Sequence, residues 1–282
     1  MGALNGDEQF IIFSHLCSTL EPGFAVAFSS TNSELWALTA AQRQQLQDDY
    51  EAATALSLKL CMRSCKDLRE KDELFGLKRL SSDDLCLLGT LGSMLPALKR
   101  LQLSGQAGPD GVQRLVEKLG AGALPAVHIL SISDTHVGDA GASALAGALG
   151  RGALPRLKVL ELHNAAIGDV GLVALAPALR RRPMLEFLYL NGNPLGDEGL
   201  AALVAPPQQP AGAPPSPLRS LSLDGTRITS AGCATLAAAL DCGALPSFCD
   251  LYLRGTRASA AAKAALRRAG LSVIDRAGRR GR

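Results

Sequence analysis

The chain has 282 residues, a formal net charge of +3 and a mean hydropathy of +0.15. Residues 275–282 carry four arginines and one aspartate, so this tail holds the net charge and the remainder is neutral. A neutral body argues against a nucleic-acid enzyme, whose basic charge normally covers one face. Seven cysteines without framework spacing, together with no apolar leader or membrane span, indicate a cytoplasmic protein, with the nucleus as the alternative.

The N-terminal region, residues 1–76, is predicted to be helical. Within residues 7–38 an apolar run is followed by a polar hinge and the pair Leu35-Trp36. This order resembles a degenerate F-box, a helical module that docks on a SKP-type adaptor in ubiquitin ligases, although the usual Leu-Pro start is missing. The alternative interpretation is a helical cap that shields the first repeat. The resemblance implies adaptor contacts from Ile11, Ile12, Leu16, Leu20 and Trp36.

Two further helices are predicted before the repeats begin. Residues 40–70 contain no helix breaker and Thr39 to Gln42 has the pattern of a capping box, so we expect one long helix. Ser81 to Asp84 predicts the start of the other helix, whose strand partner is expected near residues 74–77. This second pair would be an incomplete opening repeat. One side of the long helix should carry Leu46, Tyr50, Ala53 and Leu60 or Cys61.

Residues 154–179 define a unit that recurs along the chain. Its leucines first alternate, at Leu160 and Leu162, as in a half-buried strand, and then follow helical spacing. Six such strands are spaced by 29, 30, 28, 33 and 30 residues, and the helix leucines by 30, 30, 28, 33 and 30. One strand with one helix cannot cover its own apolar side, so the units are expected to stack. The paired strand positions are Leu101/Leu103, Leu130/Ile132, Leu160/Leu162, Leu188/Leu190, Leu221/Leu223 and Leu251/Leu253.

The unit resembles the leucine-rich repeat, L-x-x-L-x-L-x-x-N-x-L, most closely at residues 185–195. Its length and the Gly-Asp-x-Gly segment that follows are similar to the ribonuclease-inhibitor class, shared with NOD-like receptors and Ran GTPase-activating proteins. The resemblance covers about residues 77–274. It implies an α/β solenoid with a curved parallel β-sheet inside and helices outside.

Three positions recur between each strand and its helix. Only one copy has the asparagine of the repeat, so an asparagine ladder is not expected; the position holds Thr135, Ala165, Asn193, Thr226 and Thr256. A glycine position predicts that each helix packs too closely on its strand for a Cβ atom; it holds Gly111, Gly141, Gly171, Gly199 and Gly232. Carboxylates are expected to cap their own helices at Asp139, Asp169 and Asp197, with Thr229 or Ser230 in the fifth unit.

Two segments interrupt or end the array. Residues 205–217 contain six prolines, which predicts an extended loop; a ligand for an SH3 or WW domain at Pro207 and Pro210 is the alternative. The last copy has Ala262 and Lys263 in place of the usual glycine and a large apolar residue, as a water-facing terminal unit should, and a closing strand is expected at 271–274. The basic tail, residues 275–282, is interpreted as a solvated end, with a nuclear address or RNA contact as the alternative.

No catalytic motif or complete set of metal ligands occurs in the sequence. Glu161 and His163 are neighbours on one strand and have the chemistry of an acid–base pair. An open sheet, however, offers neither a nucleophile nor a cleft that excludes water. We therefore predict a protein that is not an enzyme and that has no cofactor, metal or small-molecule substrate.

The strand positions that flank the buried leucines are expected to form a concave binding face, an ordinary solvated face being the alternative. The predicted function is a non-catalytic scaffold that binds a protein partner, with substrate recognition in an SCF-type ubiquitin ligase as its finer form. A regulator of a GTPase or nuclease is the alternative. The candidate partner-binding residues are Arg100, Gln102, Glu161, His163, Phe187, Tyr189, Asn191, Asp224, Asp250, Tyr252 and Arg254.

Overall fold

The chain divides into two compact units, which we describe separately. Unit 1 comprises residues 1–71 and 94–97, and unit 2 comprises residues 72–93 and 98–282. Ile11, Leu16, the Pro-rich residues 206–216 and the tail beyond residue 275 lie outside the described residues. In the part of the chain that is described, no helix is long and apolar enough to cross a membrane. The computed structural model describes residues 12–13, 17–31, 33–75, 77, 80–104, 109–205 and 217–275.

Helices make up the described part of unit 1, and strands alternate with helices in unit 2. Unit 1 contains α1 (Gly23–Ser29), α2 (Ser33–Leu38), α3 (Ala40–Lys59) and α4 (Cys65–Glu70). The strands of unit 2 are β1 (Glu73–Leu74), β2 (Arg100–Ser104), β3 (Ile129–Ser133), β4 (Val159–Glu161), β5 (Phe187–Tyr189), β6 (Ser220–Ser222), β7 (Asp250–Tyr252) and β8 (Ser272–Ile274). Its helices are α5 (Ser82–Thr90), α6 (Pro109–Lys118), α7 (Gly138–Gly150), α8 (Asp169–Arg180), α9 (Asp197–Val204), α10 (Ser230–Asp241) and α11 (Ala260–Arg268).

The prediction of one long helix over residues 40–70 is wrong, because α3 ends at Lys59 and α4 begins at Cys65. Cys61 has a φ of 60°, in the left-handed region. Its N–H donates to Leu58 and the N–H of Met62 donates to the carbonyl of Ser57 at 2.8 Å. This pair of bonds is a Schellman ending, which usually has glycine at the left-handed position. A cysteine in that place gave no signal in the sequence.

The predicted capping box at the start of α3 is also wrong. The Thr39 side chain accepts no bond from the helix backbone, because its hydroxyl donates to the carbonyl of Leu35 at 2.7 Å. It accepts from the guanidinium of Arg43 instead. Tyr50 and Leu60 are half-buried and Cys61 is exposed. The buried positions of α3 are Leu46, Ala53, Leu56 and Ser57.

Unit 2 is built on one parallel sheet of eight strands in sequence order, from β1 to β8. The register aligns every copy of the strand, so that Leu101, Leu130 and Leu160 occupy one row. The six strands predicted from the leucine spacing are present, and β8 is the closing strand expected at residues 271–274. The opening pair is also present, because β1 pairs with β2 and Ser81 forms a capping box with Asp84 at the start of α5.

The core of unit 2 consists of the strand leucines and the helix positions that follow them. Leu160, Leu188 and Leu221 are fully buried, as are Leu172 and Leu175 of α8. Successive strand residues point to opposite sides of a sheet, so the residues between these leucines lie on the other side. Each coil buries only a few aliphatic side chains against its two neighbours, and stability must therefore come from stacking.

Asn193 joins two coils at the asparagine position. Its side-chain oxygen accepts from the N–H groups of Ala165 and Ile167 in the preceding coil, both at 3.0 Å. Its amide donates to the carbonyls of Leu162 and Leu190 at 2.7 and 2.9 Å. The Asn193 side chain thus supplies the hydrogen bonds to the preceding turn that Ala165, at the asparagine position of that turn, cannot make.

Two of the three threonines at the asparagine position bond within their own coils. The hydroxyls of Thr226 and Thr256 donate to carbonyls three residues earlier, at 2.6 and 2.9 Å. The buried hydroxyl of Thr135 has no partner among the described residues. Within the described coils these contacts leave Asn193 as the polar link at this position, in agreement with the prediction that no full ladder forms.

The aspartates at the helix starts bond to the following coil, which corrects the prediction that they cap their own helices. Asp139 Oδ1 accepts from the N–H groups of Gly168 and Gly171 at 2.7 and 3.0 Å. Asp169 Oδ1 accepts in the same way from Gly196 and Gly199 at 2.7 and 2.8 Å. Each carboxylate therefore supplies the N-terminal cap of the next helix in the stack.

Asp197 continues this series into α10. Its carboxylate accepts from the N–H of Thr229 at 2.9 Å and from the Thr229 hydroxyl. Thr229 also caps its own helix, because its hydroxyl accepts from the N–H of Ala231. We call the three cross-coil carboxylates, Asp139, Asp169 and Asp197, the aspartate ladder.

The ladder also explains the glycine position. A Cβ atom at Gly171 would lie 2.9 Å from the Cα of Asp139, and one at Gly199 would lie 2.8 Å from Asp169 Oδ1. The neighbour that excludes a side chain is thus the aspartate of the preceding coil, and the prediction that the strand does so is wrong there. At Gly111 the obstacle is Leu85 of the preceding helix, at 2.8 Å.

Candidate functional site

The side of the sheet opposite the buried leucines carries the predicted binding residues, and we call it the open face. Each strand contributes two residues to it, and the turn that follows contributes a third. The parallel register places these residues in rows across β2 to β7. The first row is Arg100, Ile129, Val159, Phe187, Ser220 and Asp250. The second row is Gln102, Ser131, Glu161, Tyr189, Ser222 and Tyr252.

A third row follows the carboxyl ends of the strands. Backbone bonds join the turns of neighbouring coils, since the N–H of Gly192 donates to Asp224 and the N–H of Gly225 donates to Arg254, both at 2.7 Å. His163 and Asn191 lie at the equivalent places after the ends of β4 and β5. The structure therefore brings nine of the eleven candidate residues together between β4 and β7, and leaves Arg100 and Gln102 on β2.

Tyrosines and carboxylates are concentrated in the β4 to β7 part of the open face. We define the tyrosine patch as Glu161, Tyr189, Asp250 and Tyr252, all of which are half-buried. Glu161 is paired directly with Tyr189 in the register, and Ser222 separates Tyr189 from Tyr252. Burial raises the pKa of the Tyr189 phenol, and Tyr252, Glu161 and Asp250 raise it further. The four side chains thus share one electrostatic environment, which is negative.

Arg254 is held at the edge of this patch by the preceding coil. Its guanidinium forms an ion pair with Asp224 at 3.5 Å, and its backbone N–H donates to the same carboxylate at 2.6 Å. Arg219, which precedes β6, is paired in the same manner with Glu186 at 3.5 Å. Both pairs are partly exposed, so their contribution to stability is about 0–1 kcal/mol each. The Arg254 pair neutralises Asp224 of the open face, and the Arg219 pair lies just before the strands.

The two candidates on β2, Arg100 and Gln102, lie outside the tyrosine patch. Arg100 lies over the ring of Phe75, with its guanidinium carbon 5.8 Å from the ring centre. Phe75 is about half exposed and directly follows β1. Sequence reasoning missed this residue because β1 was poorly defined by its pattern. The pairing of β1 with β2 is the signal that would have placed it beside Arg100.

Glu161 and His163 do not form an acid–base pair with each other. The Nδ1 atom of His163 lies 3.3 Å from the hydroxyl of Ser133 on the neighbouring strand, and no bond joins it to Glu161 in the described structure. Among the residues that are described, no group of three or more His, Cys, Asp or Glu side chains could hold a metal ion. The open face thus offers hydrogen-bonding and charged groups for recognition.

The described adaptor candidates of unit 1 differ in exposure. Trp36 is 43% exposed, and the guanidinium of Arg43 stacks on its ring at 3.3 Å. Ile12 is half-buried. Leu20 is 3% exposed and is a core residue, which corrects its prediction as a contact residue. Phe24 and Leu38, which were not predicted, are 67% and 57% exposed.

Comparison with known proteins identifies the repeats. Residues 125–146, 154–176 and 183–204 match the family model described as Leucine Rich repeat. The chain therefore contains leucine-rich repeats, and unit 2 is an α/β solenoid built from them. No curated protein matches the sequence.

Solved structures with similar folds share little sequence with the chain. The TLR13 chain of a TLR13–ssRNA13 complex is 18% identical with a TM-score of 0.39, and the match covers 77% of this chain and 34% of TLR13. A Bacteroides fragilis protein is 12% identical with a TM-score of 0.49, at 90% and 84% coverage. Internalin C2 from Listeria monocytogenes is 20% identical with a TM-score of 0.32, at 74% and 84% coverage. The chain thus spans about a third of the TLR13 chain, and these likenesses concern the fold alone.

Proposed function

We propose that the protein is a non-catalytic scaffold that binds a protein partner on the open face of unit 2. The observation that carries the proposal is the tyrosine patch, in which aromatic side chains and carboxylates stand together on a sheet. Tyrosine is enriched at protein interfaces because it combines a large apolar area with a polar end and has few rotatable bonds. Leucine-rich repeats are generally binding scaffolds, which agrees with this assignment.

A photo-crosslinking experiment tests the location of the binding face. The photoreactive amino acid p-benzoyl-phenylalanine would replace Asn191, which lies on the open face, in the full chain. The matched control carries the same amino acid at Val173, which is 39% exposed on α8. We expect partner crosslinks from position 191 alone. Equal crosslinking from position 173, or none above background from position 191, would contradict the proposal.

We infer a finer role for unit 1, namely docking on a SKP-type adaptor, so that the repeats select a substrate for an SCF-type ubiquitin ligase. Support comes from the resemblance of residues 7–38 to an F-box and from the exposed apolar side chains Phe24, Trp36 and Leu38. The full chain should then retain a purified SKP-type adaptor, and Trp36→Ala should weaken that binding about tenfold or more. A wild-type chain that fails to bind the adaptor removes the ligase role and leaves the scaffold role intact.

The alternative is that the partner is a GTPase or a nuclease, as the resemblance to the ribonuclease-inhibitor class implies. This alternative uses the same open face and requires no contact from unit 1. Identification of the protein crosslinked at position 191 separates the two, because a ligase subunit delivers its partner for ubiquitination and a regulator changes the activity of its partner. Both versions place the protein inside the cell, and both can operate in the cytoplasm.

A further inference from the structure

Within its three rows, the open face carries more carboxylates than cations between β4 and β7. Between β4 and β7 the three rows hold three carboxylates and one arginine, which leaves a formal charge of −2. The arginine, Arg254, is bound to Asp224. Among the described residues neither Glu161 nor Asp250 has a cationic partner within 4.0 Å. Asp250 accepts only a weak bond from the Cys249 thiol, at 3.6 Å.

We propose that the tyrosine patch binds an arginine side chain presented by the protein partner. The proposal rests on the scaffold function given above and names the chemistry of its recognition site. The arginine would lie against the rings of Tyr189 and Tyr252, and its guanidinium would donate to Asp250, while Glu161, on the other side of Tyr189, adds to the negative charge that attracts it.

The spacing of the patch suits a guanidinium group. Neighbouring strands lie about 4.8 Å apart, so a cation above Ser222 is within the roughly 6 Å at which aromatic rings attract cations. Ser220 and Ser222 are small and buried, so they leave space between the side chains of β5 and those of β7. Guanidinium is planar, stacks on aromatic rings and has five donors, so it can stack on a tyrosine ring and donate to a carboxylate at the same time. A lysine ammonium has no planar surface to stack.

Other occupants fit this chemistry less well. An apolar segment would cover Glu161 and Asp250 and leave them without hydrogen-bond partners, which is costly for charged groups. An acidic segment would meet two unpaired carboxylates and be repelled. An arginine supplies both the missing charge and the missing donors.

A peptide-binding experiment with the full chain tests the proposal. The probe is a fluorescein-labelled peptide of three Gly-Arg repeats, with binding followed by fluorescence anisotropy at low and at physiological salt. Two matched peptides replace arginine by citrulline, which keeps the shape without the charge, or by lysine. We expect the arginine peptide to bind most tightly, the lysine peptide several-fold more weakly and the citrulline peptide at least tenfold more weakly.

Variants assign the binding to the patch. Glu161→Gln combined with Asp250→Asn should weaken the arginine peptide at least tenfold. The control, Asp110→Asn with Glu198→Gln, makes the same charge change at exposed positions on α6 and α9 and should stay within twofold. Tyr189→Ala should weaken binding and Tyr189→Phe should retain it, since stacking needs only the ring. Circular dichroism of each variant checks that it is folded.

Several results would overturn the proposal. They are the absence of binding to the wild-type chain, equal affinity for the citrulline peptide, and equal losses in the patch and control variants. The scaffold function fails separately. If position 191 crosslinks a partner, and the crosslinking yield is unchanged by Glu161→Gln with Asp250→Asn, the arginine chemistry is wrong and the scaffold function stands. If position 191 gives no crosslink, the scaffold itself is wrong.

Discussion

The middle coils of unit 2 and its last coil share one backbone pattern but are joined by different side chains. In the middle coils a carboxylate such as Asp169 accepts two N–H groups of the next helix start. At the last junction Ser230 replaces the aspartate, accepts one N–H from Ser259 at 3.1 Å and donates to the Ser259 hydroxyl at 3.0 Å. A neutral hydroxyl gives a weaker bond than a charged carboxylate. The connection between coils is therefore strongest in the middle of the array.

A second difference concerns the helix core. The position that holds Leu172 and Leu200 in the middle coils holds Lys263 in the last coil. Lys263 was expected to face water, but it is 8% exposed and its Nζ atom donates to the carbonyl of Leu253 at 2.8 Å. The methylene chain fills the apolar position and the ammonium finds a backbone acceptor. At this helix position the last coil is thus held by a hydrogen bond to the backbone, whereas the middle coils are held by apolar packing.

Among the changes to polar links between coils, Asn193→Ala should have the largest effect. This change leaves two buried N–H groups and two carbonyls without their partner, so we expect the free energy of unfolding to fall by about 4 kcal/mol. Denaturation in urea, followed by circular dichroism, measures it. Thr256→Ala in the last coil removes one bond within a coil and should cost about 1 kcal/mol. Equal losses would mean that bonds between coils are no more important than bonds within them.

Asp169→Ala should have the next largest effect. It removes a charged acceptor from the N–H groups of Gly196 and Gly199, and the expected loss is about 2–3 kcal/mol. The equivalent change in the last coil, Ser230→Ala, should cost less than about 1 kcal/mol. Urea denaturation of both variants in the same buffer gives the comparison directly. A loss at Ser230 as large as that at Asp169 would refute the difference between the two junctions.

Gly171→Ala should be destabilising by about 1–3 kcal/mol, because the new methyl group forces the Asp139 backbone away. The control is Gly150→Ala at the end of α7, where a Cβ atom has nothing within 4 Å. Alanine there should stabilise the protein by about 0.4–1 kcal/mol, since it restricts the unfolded chain. Thermal unfolding of the two variants should shift in opposite directions. A neutral Gly171→Ala would show that the junction has room to adjust.

Lys263→Met should have the smallest effect, within about 1 kcal/mol of the wild type, because methionine fills the same apolar position and removes a buried charge. Truncation at the same position in a middle coil, Leu172→Ala, should cost about 2–5 kcal/mol. The two unfolding free energies, measured in parallel, show whether the last coil depends on packing at this position. A large loss for Lys263→Met would mean that its bond to Leu253 closes the coil.

The leucine spacing was sufficient to predict the stacked strands and helices, because apolar period and coil length are written directly in the sequence. Contacts between coils were harder to predict, since Asp139 and Gly171 lie 32 residues apart. Each residue can be explained by a role in its own helix, so neither one indicates the other. The open face was predictable as a set of alternating positions. Its division into a tyrosine patch and a separate β2 pair was not, because that depends on which rows hold small residues such as Ser222.

The failures in unit 1 have local causes. Cys61 ends α3 in a conformation that glycine usually adopts. The hydroxyl of Thr39 donates to the carbonyl of Leu35 and does not cap α3, the helix that follows it. A threonine hydroxyl can bond either to a helix N–H group or to a carbonyl four residues earlier, and the residue type alone does not decide between them.

The aspartate ladder gives the stack a direction. Every rung points from one coil to the coil that follows it, so a coil is completed by the residue before it and completes the one after. At Ala260, the counterpart of Asp169 in the final coil, there is no side-chain acceptor left to offer. Ser259 instead caps its own helix by accepting from the N–H of Ala262. The ladder therefore runs in one direction along the stack, and its last carboxylate bond joins Asp197 to the start of α10.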